Sequence, residues 1–115
     1  MPILTKSQIN TDILMRWAQR KLGPSKCERI LIVDRKPTLH GWYDWDGSIY
    51  INIRYVGSMS SVYRILAHEW THAQQKGFMY ARLDKKYGYR NNPYEVAARR
   101  RERTCFSELF VTFEK

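Results

Sequence analysis

Acidic residues and long apolar runs are scarce in this chain of 115 residues. The chain has 11 Asp and Glu against 20 Lys and Arg, and the net charge of +9 favours polyanions or acidic protein surfaces as partners. No apolar run approaches the roughly 18 residues of a membrane span, and the N-terminus lacks the apolar core of a signal peptide. We therefore expect a cytoplasmic protein with no membrane partner.

Cysteine is also rare. The chain has two cysteines, Cys27 and Cys105, which are far apart in the sequence and form no CxxC pair. This excludes the cysteine pairs of zinc-ribbon proteins. We expect free, partly buried thiols in a reducing compartment, and a disulfide between the two cysteines is the alternative. The sequence has no repeats, low-complexity tracts or linkers, so we interpret residues 1–115 as one small domain with a modest core.

The most informative stretch is His68-Glu69-Trp70-Thr71-His72, which matches the pattern HExxH. On a helix, residues i and i+4 lie on the same face, so His68 and His72 can offer both imidazoles to one metal ion. Glu69 is rotated by about 100° from His68, where it can meet a water on that ion without binding the metal. The pattern therefore predicts a metal site if this segment is helical.

The flanking residues favour such a helix over about residues 59–76. Ser58 or Ser60 can cap its start, and Gly77 is expected to end it. Apolar residues recur through this segment at helical spacing, namely Val62, Ile65, Leu66, Ala73 and Phe78.

A second helix is predicted to begin at Pro93, with Asn91 or Asn92 as its cap. This helix carries Glu95 one turn in, and the 23 positions between His72 and Glu95 (95 − 72) suit a helix that returns to the motif. Two histidines and one carboxylate are the protein ligands of a catalytic zinc site, which keeps its fourth position for water. An ordinary exposed glutamate is the alternative reading of Glu95.

The N-terminal half of the chain predicts one helix and a small sheet. Residues 7–22 form an amphipathic helix that Thr5 or Ser7 can cap. Residues 29–33 are a branched apolar run, typical of a strand buried on both faces. Asp46-Gly47 then predicts a two-residue hairpin turn after residues 40–45. Alternation beyond the turn places one set of residues in the core (Ile49, Ile51, Ile53, Tyr55) and another on a more polar face (Tyr50, Asn52, Arg54).

The C-terminal half predicts further helices. Residues 80–87 form a short helix, residues 88–92 a loop, and the Pro93 helix extends to about residue 103. Residues 106–113 are a helix or a strand, of which the helix is favoured. The fold class is therefore α+β, with a small mixed sheet packed on the N-terminal helix and the HExxH helix, and a C-terminal helix carrying the glutamate.

The densest group of charges in the chain is Arg99-Arg100-Arg101-Glu102-Arg103. We interpret this run as a solvated helix face, and a nucleic-acid-binding patch is the alternative. No recognisable RNA- or DNA-binding motif accompanies it.

The order of these elements resembles that of the zincins, and specifically a minimal gluzincin, in which the third ligand is a glutamate on a later helix. The segment Leu66-Ala67-His68-Glu69-x-x-His72-Ala73-Gln74-Gln75, followed by Asn92-Pro93-Tyr94-Glu95, is similar to short metallopeptidase domains of bacteria and phages. The resemblance covers about residues 28–103. Gln75 and Phe78 differ from the glycine and histidine that the metzincin extension requires.

The resemblance implies a zinc ion bound by His68, His72 and Glu95, with Glu69 as general base. It thus implies a zinc-dependent peptidase, a hydrolase acting on polypeptide substrates through a metal-activated water. The strand of residues 40–45 would be the sheet edge beside the cleft, where an extended substrate can add. Candidate oxyanion or substrate contacts are Tyr87, Tyr89, Arg90, Tyr94 and His40. For His40, a polar residue at a strand start is the simpler interpretation.

One departure from the gluzincins concerns the acidic residue that hydrogen-bonds a ligand histidine and orients its ring. Many gluzincins place an acidic residue three or four positions after the ligand glutamate, where this chain has Ala98 and Arg99. Either a backbone carbonyl or a distant carboxylate replaces it, or the site is weak. The carboxylates available for this role are Asp84, Glu102 and Glu108.

A competing hypothesis comes from a different class of function. The chain would then be a catalytically inactive, zincin-like basic module that binds nucleic acid or an acidic protein. The presence of Glu69 argues against it, because a binding module needs no general base beside a metal. A purely structural zinc site is also disfavoured, because such sites are usually closed by four protein ligands.

Overall fold

The computed structural model describes residues 4–35 and 39–114, without the side chains of Tyr55 and residues 105–114. Within these limits the chain folds into four α-helices and one three-stranded mixed sheet, which confirms the α+β class. None of the described helices is long and apolar enough to cross a membrane.

The elements follow the predicted order of a helix, a sheet and then helices. Their bounds are α1 (Thr11–Leu22), β1 (Arg29–Val33), β2 (Gly41–Tyr43), β3 (Ser48–Asn52), α2 (Met59–Ala73), α3 (Gly77–Asn91) and α4 (Pro93–Glu114). Short 3-10 turns occupy Lys6–Gln8 and Ile53–Tyr55.

Helix α1 begins four residues later than predicted, and its cap is different. The side chain of Asn10 accepts hydrogen bonds from the backbone N–H groups of Asp12 (3.0 Å) and Ile13 (3.2 Å). Thr5 instead precedes the 3-10 turn, and Ile9 between the two elements is extended. The prediction of Thr5 or Ser7 as the cap of α1 was therefore wrong. The side chain of Asn10 caps the helix, because it accepts from two of the free N–H groups there.

Strand β3 is central, with β1 parallel to it on one side and β2 antiparallel on the other. Ile49 and Ile51 of β3 are completely buried in a core shared with α1 and α2. The prediction that residues 29–33 are buried on both faces was wrong. Ile30 is buried but Leu31 is 37% exposed, because Leu31 points to the face of the sheet opposite this core.

The connection between β2 and β3 is longer than the predicted two-residue turn. It spans four residues, 44–47, and the carboxylate of Asp44 accepts from the backbone N–H groups of Asp46 and Ser48, each at 3.0 Å. Trp45 adopts a positive φ of 67° and Gly47 one of 109°. Trp45 leaves the strand and packs against Tyr43, with 5.1 Å between ring centroids.

Asn52 was predicted on the polar face of its strand but is completely buried. Its amide nitrogen donates to the carbonyls of Arg35 (2.7 Å) and Leu39 (3.1 Å), and its amide oxygen accepts from the N–H groups of Arg35 and Arg54, each at 3.2 Å. The three bonds to Arg35 and Leu39 hold both ends of the β1–β2 connection, and the bond from Arg54 caps the 3-10 turn after β3. Strand β3 also ends here, and Ile53–Tyr55 form a 3-10 turn, so the prediction of a strand over these residues was wrong. Ile53 is buried as predicted, and the side chain of Tyr55 lies outside the described residues.

Helix α2 confirms the predicted motif helix and its capping by Ser58, whose hydroxyl accepts from the N–H of Ser61 at 3.3 Å. Helix α2 ends at Ala73, and Gly77 begins α3 instead of ending α2. Helix α3 is longer than the predicted short helix, and Gly88, at φ 79°, interrupts it where we predicted a loop.

Helix α4 begins at the predicted Pro93, and the side chain of Asn92 accepts from the N–H of Tyr94 at 2.9 Å. Its backbone is helical as far as Glu114, which confirms the favoured interpretation of the tail. Cys27 is a buried free thiol, whereas the side chain of Cys105 lies outside the described residues.

Replacement of Asn52 by alanine is expected to lower the free energy of unfolding by about 3 kcal/mol, because backbone groups inside the fold lose their partners. Asn91→Ala is a matched control, because Asn91 is exposed and its change should stay within about 0.5 kcal/mol. Urea denaturation of both variants measures the difference. Equal stability of the two variants would contradict the role assigned to Asn52.

Candidate metal centre

Packing of α4 along α2 brings three predicted ligands together. Nε2 of His68 lies 3.2 Å from Oε1 of Glu95, and Nε2 of His72 lies 3.2 Å from Oε2 of the same carboxylate. One donor atom from each of the three residues lies within 4.8 Å of the others. Donors on a tetrahedral ion with bonds of about 2.0–2.1 Å are separated by about 3.4 Å, so these residues fit a metal ion.

The ring of His68 is oriented by a carboxylate from α4. Its Nδ1 lies 2.8 Å from Oε1 of Glu102, seven positions after Glu95 and therefore two turns further along the same helix face. Glu102 was one of the three distant carboxylates proposed for this role. It takes the place of an acidic residue at position 98 or 99, where the side chain of Ala98 is instead buried between the helices.

The ring of His72 is oriented by Gln75. Nδ1 of His72 lies 2.7 Å from Oε1 of Gln75, whose amide nitrogen donates to the carbonyl of Tyr94 at 3.0 Å. That carbonyl can only accept, so the NH2 of the Gln75 amide faces it and the oxygen of the same amide faces His72. Nδ1 of His72 therefore carries a proton, and Nε2 is the atom that could bind a metal ion.

Tyr80 on α3 completes the surroundings of Glu95 and was not identified from the sequence. Its hydroxyl donates a short hydrogen bond to Oε2 of Glu95. The ring of Tyr80 also packs against Trp45 and His72, with centroid separations of 5.2 and 5.4 Å. No local pattern marks Tyr80, because it reaches Glu95 through the packing of α3 on α4.

These contacts move the pKa values of the groups that make them. Burial lowers the pKa of His68, but hydrogen bonds to Glu102 and Glu95 outweigh it and raise this pKa to about 10. Burial raises the pKa of Glu95, yet hydrogen bonds from His68, His72 and Tyr80 bring it well below its usual range. Burial, followed by the hydrogen bond to Glu95, raises the pKa of Tyr80.

Glu69 is separate from this group of donors and lies in the cleft beside them. It lines both of the cavities that flank the three predicted ligands. Burial raises the pKa of Glu69, and the neighbouring His68 and His72 act in the opposite direction. A raised pKa suits a carboxylate that must accept and return a proton near neutral pH.

The cleft itself consists of two cavities of about 350 and 190 Å³. The cavities meet at a shared set of residues, namely Leu39, Gly41, His68, Glu69 and Tyr89. Of the candidate oxyanion or substrate contacts, Tyr89 lines both cavities and His40 lines the larger one. Tyr87, Arg90 and Tyr94 line neither.

Gly41 allows the edge strand β2 to approach α2 closely. A Cβ atom at this position would lie 2.5 Å from Cγ2 of Ile65 and 2.9 Å from the carbonyl oxygen of Tyr50. Only glycine fits without displacement, so Gly41 sets the distance between the sheet edge and Glu69, whose Cγ would lie 3.8 Å from that Cβ.

The basic run on α4 is only partly a solvated face. Arg101 donates to the carbonyl of Leu22 at 3.0 Å, Arg99 donates to the carbonyl of Arg90, and Glu102 faces His68. Arg100 and Arg103 are exposed. The prediction of a solvated face therefore holds for Arg100 and Arg103, whereas the other three residues of the run bind other elements.

In comparisons with known proteins, no protein-family model, curated protein or solved structure matches this chain.

The metal-free protein is expected to become less stable as the pH rises from 6.5 towards 10. The pKa of His68 is higher in the folded chain than its ordinary value of 6.5, so its bound proton stabilises the fold fully below 6.5 and is lost as the pH approaches about 10. Urea denaturation in the presence of a chelator measures this trend. His68→Gln is the control and should remove much of the slope, whereas an identical slope in both proteins would contradict it.

Proposed function

We propose that this chain is a zincin-like, zinc-dependent peptidase of the gluzincin type. The observation that carries the proposal is the convergence of His68, His72 and Glu95 from two helices, with their donor atoms within 4.8 Å. Each imidazole also has its second nitrogen occupied by a hydrogen bond, as ligating histidines in proteins almost always do.

The donor set favours zinc over harder cations. Two imidazoles and one carboxylate suit Zn²⁺, whereas Mg²⁺ and Ca²⁺ are bound mainly by oxygen atoms. The group found among the described residues has three members, and a catalytic zinc site needs a fourth position open to water and substrate. The cleft that contains these residues offers that access.

In this proposal, Glu69 carries the proton transfers of peptide hydrolysis. His68, His72 and Glu95 would hold a zinc ion, which would supply Lewis acidity and make a water molecule easier to deprotonate. Glu69 takes a proton as the water adds to the scissile carbonyl, and it then delivers that proton to the leaving amine. Its position beside the ligands but outside their mutual contacts supports this role.

Tyr89 and His40 are the remaining candidates for stabilising negative charge on the substrate carbonyl oxygen. Both line the cleft, Tyr89 from α3 and His40 from the residue before β2. A phenol or imidazole N–H aimed at the developing charge is a common donor of this kind. Tyr89 is the better placed of the two, because it lines the cavities on both sides of Glu69.

The exposed edge of β2 is the proposed substrate-binding strand. Within the described part of the chain, strand β2 pairs with β3 alone, and the cleft lies between its other side and α2. An extended peptide can add to such an edge through backbone hydrogen bonds. Trp42, Tyr43 and Trp45 line the smaller cavity beside it.

Glu95→Ala is expected to reduce bound zinc from about one ion per chain to much less than one, because a third ligand is lost. Elemental analysis of the purified proteins measures this. Glu28→Ala is the control, because Glu28 is an exposed carboxylate outside the cleft that should not affect zinc. Unchanged zinc in Glu95→Ala would remove this residue from the site, and no zinc in the wild type after reconstitution would favour the inactive basic module.

Glu69→Gln should retain zinc but lose hydrolysis of a denatured protein substrate by a factor of about 10³, because glutamine cannot accept the proton. His72→Ala should lose both zinc and activity. Release of new amino termini from the substrate measures the rate, and Glu28→Gln is the matched control. Equal rates for Glu69→Gln and the wild type would rule out the proposed role of Glu69.

A further inference from the structure

The two cavities of the cleft differ in chemistry. Aromatic side chains dominate the smaller cavity. The larger one is lined by polar or charged groups, which include Arg64, Ser61, His40, Glu69 and Glu102, and by apolar residues that include Val56 and Ile65. At about 350 Å³ the larger cavity can take an amino-acid side chain. Its polar groups should therefore select what enters.

Arg64 is held at this cavity by the same residue that orients His68. Nε of Arg64 lies 3.3 Å from Oε2 of Glu102, and Oε1 of that carboxylate lies 2.8 Å from Nδ1 of His68. Arg64 and His68 are four positions apart on α2 and share a face. The guanidinium is thus fixed beside the proposed reaction centre. Glu102 faces its Nε, and the planar fork of an arginine has further N–H groups that can bind a second carboxylate in the cavity.

The direction of β2 indicates which part of a substrate would meet Arg64. The strand begins at Gly41, next to Ile65 of the larger cavity, and its chain continues to Trp45, whose ring lies 5.9 Å from that of His72. Antiparallel pairing is the more stable arrangement. A peptide antiparallel to β2 therefore runs from the smaller cavity towards Arg64, so its C-terminal part reaches the larger cavity.

We propose that the cavity beside Arg64 binds a carboxylate on the C-terminal side of the cleaved bond. The proposal rests on the proposed peptidase function and names its substrate class. The carboxylate belongs either to an acidic side chain directly after the bond or to the C-terminus of a substrate that ends there. The net charge of +9 would also attract acidic polypeptides to this chain.

The test uses zinc-loaded Glu69→Gln protein, which should bind peptides without cleaving them. Three peptides with the same N-terminal half are compared by calorimetry. One has Glu after the central bond and an amidated C-terminus, one has Gln at that position and an amidated C-terminus, and one ends at that Gln with a free carboxylate. The Glu peptide, the free-acid peptide or both should bind about ten-fold more tightly than the amidated Gln peptide.

The same titrations with added substitutions identify the group responsible. Arg64→Gln should abolish the preference, and Arg64→Lys should keep part of it, because a charge remains without the planar fork. Arg100→Gln is the matched control, because it removes the same charge from an exposed position on α4 and should keep the preference. The zinc content of each variant shows whether Glu102 still orients His68. If Arg64→Gln loses zinc, the peptide preference of Arg64→Lys is the result that tests the proposal.

Equal binding of all three peptides, or no binding of any, would overturn the proposal. A preference that persists in Arg64→Gln, or one that Arg100→Gln also loses, would overturn it as well. Failure of the proposed peptidase function gives a different result, in which the carboxylate preference is present but wild-type protein cleaves none of the peptides. Cleavage of amidated Glu and Gln peptides at equal rates, with equal binding, rejects this inference alone.

Discussion

The packing of α4 on α2 around the candidate metal centre depends on one buried carboxylate, that of Glu95, which two imidazoles share. Glu95 is 3% exposed, and its two oxygens face Nε2 of His68 and Nε2 of His72, with Tyr80 donating to one of them. A buried carboxylate without partners would cost several kcal/mol, so the elements that carry these partners must meet at this point. The register of α4 against α2 follows from that requirement.

The residues around this carboxylate link ligand geometry to the fold. Gln75 connects His72 to the backbone of Tyr94 at the start of α4, and Glu102 connects His68 to Arg64. Glu102 on α4 contacts two residues of α2, and Gln75, in the turn after α2, contacts both His72 and α4. Each of the two residues therefore orients an imidazole and also holds α2 and α4 together. In the proposed metal site, loss of either contact should therefore change metal affinity and helix packing together.

The sequence predicted features that depend on local spacing, and failed where distant contacts decide. His68 and His72 on one helix face, the capping of α4 by Asn92 and the α+β class follow from periodicity and capping rules. Tyr80 carries no local signal, because its role arises from the packing of α3 on α4. Gln75 belongs to the segment that carries the resemblance, but its bond to the Tyr94 carbonyl depends on the packing of α4. The burial of Asn52 was missed for the same reason, since its partners lie 13 and 17 positions away.

Helix α3 shows how closely the site and the fold depend on each other. It has no buried residue, yet Tyr80 and Tyr89, on opposite sides of Gly88, both reach the site. Its attachment to α4 includes the bond from Tyr80 to Glu95 and the bond from Asn92 to the Tyr80 carbonyl. An element with little buried apolar surface has low local stability. The position of α3, and hence of Tyr89 beside the cleft, therefore depends in part on the bond from Tyr80 to Glu95.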